Sequence, residues 1–148
     1  MVVEVLRTLF NRDLLKLKQE LELYKHEENI WKVEKDIINP AGNLCLHLVG
    51  NLNTYFGTVL GNTGYVRNRD LEFSQKGVSR SELIQKTEGA MHVVDKVLGN
   101  MTDDQLKEEY PMLVYQEKTS TEFFLIHLAM HLSYHLGQVN YHRRLLDN

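Results

Sequence analysis

The segment Thr121–Leu146, TEFFLIHLAMHLSYHLGQVNYHRRLL, decides the fold because it predicts one long uninterrupted helix. The preceding run Thr119-Ser120-Thr121-Glu122 resembles a capping box, in which a hydroxyl and a carboxylate satisfy free backbone N–H groups at a helix start. At 1.5 Å per residue, such a helix is roughly 38 Å long. We expect it to cross a whole helical bundle.

Three further helical patterns precede this segment, and a short helix is predicted from Thr102. The apolar residues of the three patterns recur at steps of three and four residues, which is the helical period. The patterns cover residues 2–25, 40–61 and 79–99, and a polar loop is expected over residues 65–77. The sequence therefore predicts a single all-α domain, residues 1–148, folded as an up-and-down four-helix bundle.

Composition excludes several classes of protein. The chain has 148 residues, a net charge of −3 and one cysteine. The charge predicts no nucleic-acid partner, and no apolar run reaches the length of a membrane span. The N-terminus has no signal-peptide pattern, and a single cysteine cannot form an internal disulfide. We therefore expect a cytoplasmic protein without a nucleic-acid or membrane partner.

The last helix carries His127, His131 and His135 at four-residue steps. Residues at i and i+4 lie nearly above one another on a helix, so two imidazoles so placed can reach one metal ion. His47 lies in the second helix, which is apolar almost all round and therefore predicted to be buried. His47 with two histidines of the last helix would give three neutral nitrogen ligands and an open position, as in catalytic metal sites. The alternative is a set of core or surface histidines with local hydrogen bonds.

Several stretches together resemble the DinB-like superfamily of metal-binding four-helix bundles. They are His47, the His131-x-x-x-His135 pair, residues 136–139 (LGQV), residues 50–52 (GNL) and residues 64–74 (GYVRNRDLEFS), of which the last two look like a subgroup of short members. The resemblance implies that His47, His131 and His135 bind a divalent metal ion. Zn, Ni and Fe all suit such a site, so the sequence does not select one. The superfamily includes thiol-dependent S-transferases, which implies a low-molecular-weight thiol as a second cofactor.

Residues near these ligands are candidates for supporting roles. Three successive histidines cannot all point equally well at one ion, and the resemblance implies that His131 and His135 are the ligands, so His127 is expected to support the site or line its entrance. Asn51, Tyr134 and Gln138 are candidates for orienting the ligands or polarising a substrate. Three arginines could bind the carboxylates of a thiol, namely Arg67, Arg69 and Arg80; the alternative is that they are solvated surface charges.

The motif excludes one enzyme class and leaves three functions open. Zincin proteases need Glu directly after the first His of the pair, but this chain has Leu132 there. Cys45 is predicted to point away from His47, since two residues are about 200° apart on a helix. No catalytic side chain can be assigned. The open functions are a metal-dependent thiol transferase acting on a small molecule, a metal-hydroxide hydrolase, and a non-catalytic metal-binding or dimerisation module.

Two further expectations concern surfaces. The first helix carries apolar residues beyond one narrow stripe, among them Val2, Val5, Leu6 and Phe10, which favours a homodimer through that helix. His142 precedes two arginines and is expected to face solvent.

Overall fold

The computed structural model describes residues 1–148 and is all-α, as predicted. In addition to its α-helices, the chain has a 3₁₀ turn over Glu27–Trp31 and a π-helical turn over Asn53–Thr58. The only β-type pairings are two isolated bridges. The helices are α1 (Val2–Leu23), α2 (Ala41–Leu52), α3 (Arg69–Ser74), α4 (Arg80–Gly99), α5 (Asp103–Lys107) and α6 (Thr121–Leu146).

Helix α2 lies at the centre of the bundle. Every residue from Ala41 to Leu52 is buried, which confirms the prediction made from its all-round apolar pattern. The helix packs against α3, α4 and α6. Gly42 allows close packing of Trp31, since a Cβ at this position would collide with the indole ring. The indole N–H is in turn bonded to the Val78 carbonyl at 3.2 Å.

Helix α1 packs against both α4 and α6 and completes the four-helix core. Its buried residues recur along one face, and Phe10 meets Phe56 edge-on with ring centroids 5.0 Å apart. Asp95 of α4 accepts hydrogen bonds from Arg7 at 2.7 Å and Asn11 at 2.8 Å. Apolar burial thus supplies most of the attraction between these helices, and the polar contacts fix their register.

The structure differs from the sequence prediction in two elements. The expected polar loop over residues 65–77 contains α3, whose first turn is capped by the Asn68 side chain accepting from the Leu71 N–H at 3.2 Å. The second predicted helix does not continue regularly to residue 61, because it passes into the π-helical turn after Leu52. No helix is long and apolar enough to cross a membrane.

The expectation that His142 faces solvent is wrong. Its side chain is buried, and Nε2–H donates to the Lys32 carbonyl at 2.8 Å. With that proton on Nε2, Nδ1 accepts from the Tyr24 hydroxyl at 2.6 Å. Two specific hydrogen bonds therefore satisfy this imidazole, which explains how it is tolerated inside the core.

A candidate metal centre between two helices

Three imidazoles meet where α2 packs against α6. His47 comes from α2, and His131 and His135 come from successive turns of α6. One nitrogen from each ring lies within 4.8 Å of the other two, an arrangement that could hold a metal ion. The Nε2 atom of His131 is 3.1 Å from Nε2 of His47 and 3.2 Å from Nε2 of His135. The structure thus brings together the three residues predicted as ligands.

The outer nitrogens of two of these rings have their own partners. His47 Nδ1 lies 3.0 Å from the Glu72 carboxylate, and His135 Nδ1 lies 2.6 Å from the side-chain oxygen of Gln138. Because both partners are acceptors, each Nδ1 carries the proton and each Nε2 presents a lone pair to the cluster. Only one proton, on His131 Nε2, could lie among the three converging nitrogens. A divalent cation satisfies all three lone pairs at once, so the donor set fits a metal ion.

Burial keeps the imidazoles of α6 neutral, which is the form that binds metal. Desolvation, reinforced by the neighbouring His135 and His47, lowers the pKa of His131 to about 4. Desolvation also lowers the pKa of His135, although the Gln138 hydrogen bond opposes this shift. Neutral imidazoles bring no charge of their own, so the charge of a bound divalent ion would stay uncancelled by its ligands.

Buried Glu72 and half-buried Arg67 form an ion pair behind His47. The Arg67 guanidinium donates to both carboxylate oxygens of Glu72, each at 2.9 Å. Burial alone would raise the pKa of Glu72, but the hydrogen bonds from His47 and Arg67 outweigh it and hold the pKa below its ordinary value. Phe73, the next residue of α3, packs on His47 with ring centroids 4.9 Å apart. The whole of this support comes from the segment expected to be a loop.

Two cavities border the histidines on different sides. A groove of about 620 Å³ is lined by all three of them together with Arg69, Phe73 and Tyr134. A smaller cavity of about 350 Å³ is lined by His47 and His131 together with polar and aromatic residues, namely Asn51, Tyr55, Arg67, Arg69, Tyr115 and His127. A third cavity, of about 550 Å³, lies beside α4 and α5 and borders none of the three histidines. The centre is thus accessible to small molecules from two directions.

The other residues predicted for the site are distributed unevenly. Gln138 bonds His135, whereas Tyr134 lines the groove and is largely exposed. Asn51 is buried beside the smaller cavity, and its side-chain oxygen has no hydrogen-bond partner. His127 is exposed and stacks on His131 with centroids 6.4 Å apart, and it is not one of the converging ligands.

The predicted arginines fall into three situations. Arg67 borders the smaller cavity, but its hydrogen bonds go mainly to Glu72. Arg69 borders both cavities and makes no ion pair, so its guanidinium is free to bind an anion. Arg80 is not brought to the site, because its guanidinium donates to the carbonyl of Tyr24 at 2.9 Å, at the end of α1. Arg80 therefore does not lie where it could bind a thiol carboxylate beside the histidines, contrary to that expectation.

Cys45 faces away from the histidines, as predicted from the helical angle. Its sulfur lies 3.4 Å from the Thr87 hydroxyl on α4, and burial raises the pKa of the thiol to about 11. A thiol that stays protonated is a poor nucleophile and a poor metal ligand. Any thiolate at this centre must therefore come from another molecule.

Stability of the metal-free protein should fall as the pH is lowered from about 6.5 to about 4. Because the pKa of His131 is about 4 in the folded protein and about 6.5 when unfolded, the unfolded chain binds more protons in this window. The free energy of unfolding, measured with denaturant across this range, should change less with pH in His131→Gln than in the wild type. The exposed His26 provides the control, and His26→Gln should keep the wild-type slope. Equal slopes for His131→Gln and the wild type would contradict the assignment.

No curated protein matches this sequence. It does match the family described as "Protein of unknown function (DUF1572)", over residues 3–148. The match includes all three histidines of the candidate centre and the Glu72–Arg67 pair. Since it covers nearly the whole chain, the protein belongs to the DUF1572 family.

Proposed function

We propose that this protein is a metal-dependent enzyme that transfers a small thiol to an electrophilic substrate. The observation that carries the proposal is the convergence of three imidazole nitrogens beside two cavities. His47, His131 and His135 would hold a divalent ion such as Zn, Ni or Fe. When bound, such an ion supplies positive charge that lowers the pKa of a thiol or a water molecule beside it. The resemblance to DinB-like S-transferases favours a thiol, rather than water, as the molecule whose pKa the ion would lower.

The cavities suggest how two reactants would be arranged. The smaller cavity offers polar groups to a thiol cofactor, with the oxygen of Asn51 as an unpaired acceptor. The groove offers an apolar wall for an electrophile, including Phe73 and Ile37. Arg69 borders both and would bind a carboxylate of either molecule. In the transfer, the thiol loses its proton to solvent, its sulfur forms a bond to carbon, and the leaving group departs with the bonding electron pair.

The proposal is tested by metal content and thiol conjugation in the same preparations. We expect the wild type to bind about one divalent ion and His135→Ala to lose it, whereas His26→Ala keeps it, since His26 is exposed and outside the cluster. The loaded protein should then conjugate bacillithiol, mycothiol or glutathione to chlorodinitrobenzene with release of chloride. Arg69→Gln should raise the thiol concentration needed for half-maximal rate and leave metal content unchanged.

Other outcomes of this experiment select the alternatives. Metal binding without conjugation by any of the three thiols would contradict the transferase. Hydrolysis of an activated ester by that loaded protein would then favour a metal-hydroxide hydrolase, in which water replaces the thiol. Absence of both activities would favour a non-catalytic metal-binding module, and absence of metal would leave only a structural or dimerisation role.

We also propose that the protein is a homodimer, formed through α6 rather than α1. The expected α1 surface is smaller than its sequence suggested, because Leu6 and Phe10 are buried in the protein's own core. The outer face of α6 instead exposes six large apolar residues at helical spacing, between 42% and 67% exposed: Phe123, Ile126, Met130, Tyr134, Tyr141 and Leu145. Three of them, Tyr134, Tyr141 and Leu145, also line the groove, so in the dimer the groove would open at the interface between the two copies. At roughly 150–250 Å² per large side chain, this stripe approaches the roughly 800 Å² that each partner buries in a standard interface.

Self-complementarity favours a second copy as the occupant of this stripe. In an antiparallel pair of α6 helices centred between Ser133 and Tyr134, Met130 of one copy faces Gly137 of the other. A Cβ at Gly137 meets nothing within 4 Å, so this position leaves room for a long side chain. The same pairing brings the acidic start of α6, at Glu122, near its basic end, at Arg144.

The dimer predicts a specific effect of a charge in the stripe. Met130→Glu would bury two unpaired carboxylates and should give a monomer by light scattering at micromolar concentration. Val66→Glu is the matched control, since Val66 is 87% exposed and lies outside the stripe. A monomer mass for the wild type would contradict the interface.

A further inference from the structure

Glu72 is held by contacts from two other parts of the fold, the segment before α3 and helix α2. The side-chain oxygens accept from Arg67 and lie 3.0 Å from His47 Nδ1. The backbone carbonyls of Glu72 and Gln75 accept from the Asn43 side-chain amide at 2.9 and 2.8 Å. These contacts tie α3 to α2 through both its side chain and its backbone. Glu72 is therefore held in one position against the helix that carries His47.

Gly50 makes this close approach possible. It lies on α2 about one turn after His47, and a Cβ at this position would collide with the Glu72 carboxylate. The backbone here is ordinary helix, so conformational freedom is not the reason for glycine at this position. The reason is space, because any side chain would push the carboxylate away from His47.

We propose that Glu72 is a positioning residue for the metal centre, and that Arg67 and Gly50 serve to hold it. An ionised carboxylate only accepts hydrogen bonds, so it selects the tautomer of His47 with the proton on Nδ1. That tautomer leaves the Nε2 lone pair directed at His131 and His135. The inference rests on the proposed metal centre for its effect on affinity, but the tautomer itself exists without metal.

Arg67 has two effects on this carboxylate. Its two parallel hydrogen bonds stop the Glu72 side chain from rotating. Its positive charge also cancels the negative charge of Glu72, so the pair orients His47 without adding net charge near the ion. A neutral pair therefore preserves the positive charge that the centre would need to lower the pKa of a thiol or of water.

A second, partly buried ion pair of the same chemistry provides a matched control. Arg143 donates to Glu20 at 2.7 Å between α6 and α1, and the two side chains are 22% and 13% exposed. The corresponding values for Arg67 and Glu72 are 16% and 7%. Glu20 bonds Asn140 but no histidine. Glu20→Ala thus shows how the loss of a partly buried ion pair affects zinc affinity in general, because it removes no hydrogen-bond partner of a histidine.

The test combines imidazole nitrogen NMR on metal-free protein with zinc affinity from chelator competition. In the wild type, His47 should carry its proton on Nδ1. Glu72→Ala should give a mixture of His47 tautomers and weaken zinc binding about 10–100-fold, the usual effect of losing a carboxylate behind a ligating histidine. Gly50→Ala should also give a mixture of His47 tautomers and weaken zinc binding, although it removes no polar group, because its Cβ would displace the Glu72 carboxylate.

The remaining variants separate positioning from simple loss of structure. Glu72→Gln keeps an acceptor oxygen, so it should preserve the Nδ1–H tautomer and weaken zinc binding less than Glu72→Ala. Glu20→Ala should leave both the tautomer and zinc affinity at wild-type values. Circular dichroism identifies any variant that does not fold, and Glu72→Gln and Gly50→Ala then decide the question in place of Glu72→Ala.

Two results would overturn the inference. The first is an unchanged His47 tautomer in folded Glu72→Ala or Gly50→Ala. The second is an equal loss of zinc affinity in Glu20→Ala and Glu72→Ala. If the wild type binds no zinc, nickel or iron, the proposed function fails, while the tautomer measurement still decides the role of Glu72.

Discussion

The burial of His47 inside a fully buried helix is the constraint on which the site depends. An imidazole in an apolar interior needs partners for both nitrogens, because an unsatisfied polar group there is costly. Glu72 satisfies Nδ1, and Nε2 is left facing two more imidazoles of α6. Three nitrogens that share at most one proton form a poor hydrogen-bonding group but a good set of metal ligands. The position of α3, the pair with Arg67 and the glycine at position 50 all follow from this requirement.

The three histidines lie on two regular helices, whereas several other segments supply residues that line the cavities. Helices α2 and α6 place the three histidines on regular backbone, where packing fixes the position of each turn. Most of the other residues that line the two cavities come from α6 itself, from α3 and from the segments at residues 36–39 and 114–115. Arg69 is the clearest example, since it borders both cavities and makes no ion pair. This division resembles that of many enzymes, in which regular elements hold the reacting centre and peripheral residues select the ligand.

Much of the framework could be predicted from sequence because its helices are long and their apolar period is clear. The burial of His47 followed from the apolar residues on every side of it, and the four-residue step indicated the histidines of α6. The choice of His131 and His135 from those histidines came from the family resemblance. Helix α3 could not be found in this way, since six residues in a polar stretch are too short to show a period. Glu72 was therefore missed as a partner of His47. The sequence feature that came closest to indicating Glu72 was the run of charged residues at positions 67–72. That run alone does not show which charge points inward.

The error at His142 has a different cause. Its neighbours Arg143 and Arg144 suggested solvent, but the helical period places residue 142 on the same face as Val139, which is buried. The period was thus the better guide than the adjacent residues. Arg80 was misplaced because sequence does not reveal which end of the bundle a helix start occupies, and here it contacts the end of α1.

The proposed function requires that His47, His131 and His135 together bind one divalent ion. X-ray absorption spectroscopy of the zinc-loaded protein tests it most directly, because scattering within an imidazole ring identifies histidine ligands and counts them. We predict three imidazole nitrogens at about 2.0–2.1 Å from zinc, with the remaining positions filled by oxygen ligands. Fewer than three imidazoles, or a sulfur ligand from Cys45, would contradict the account.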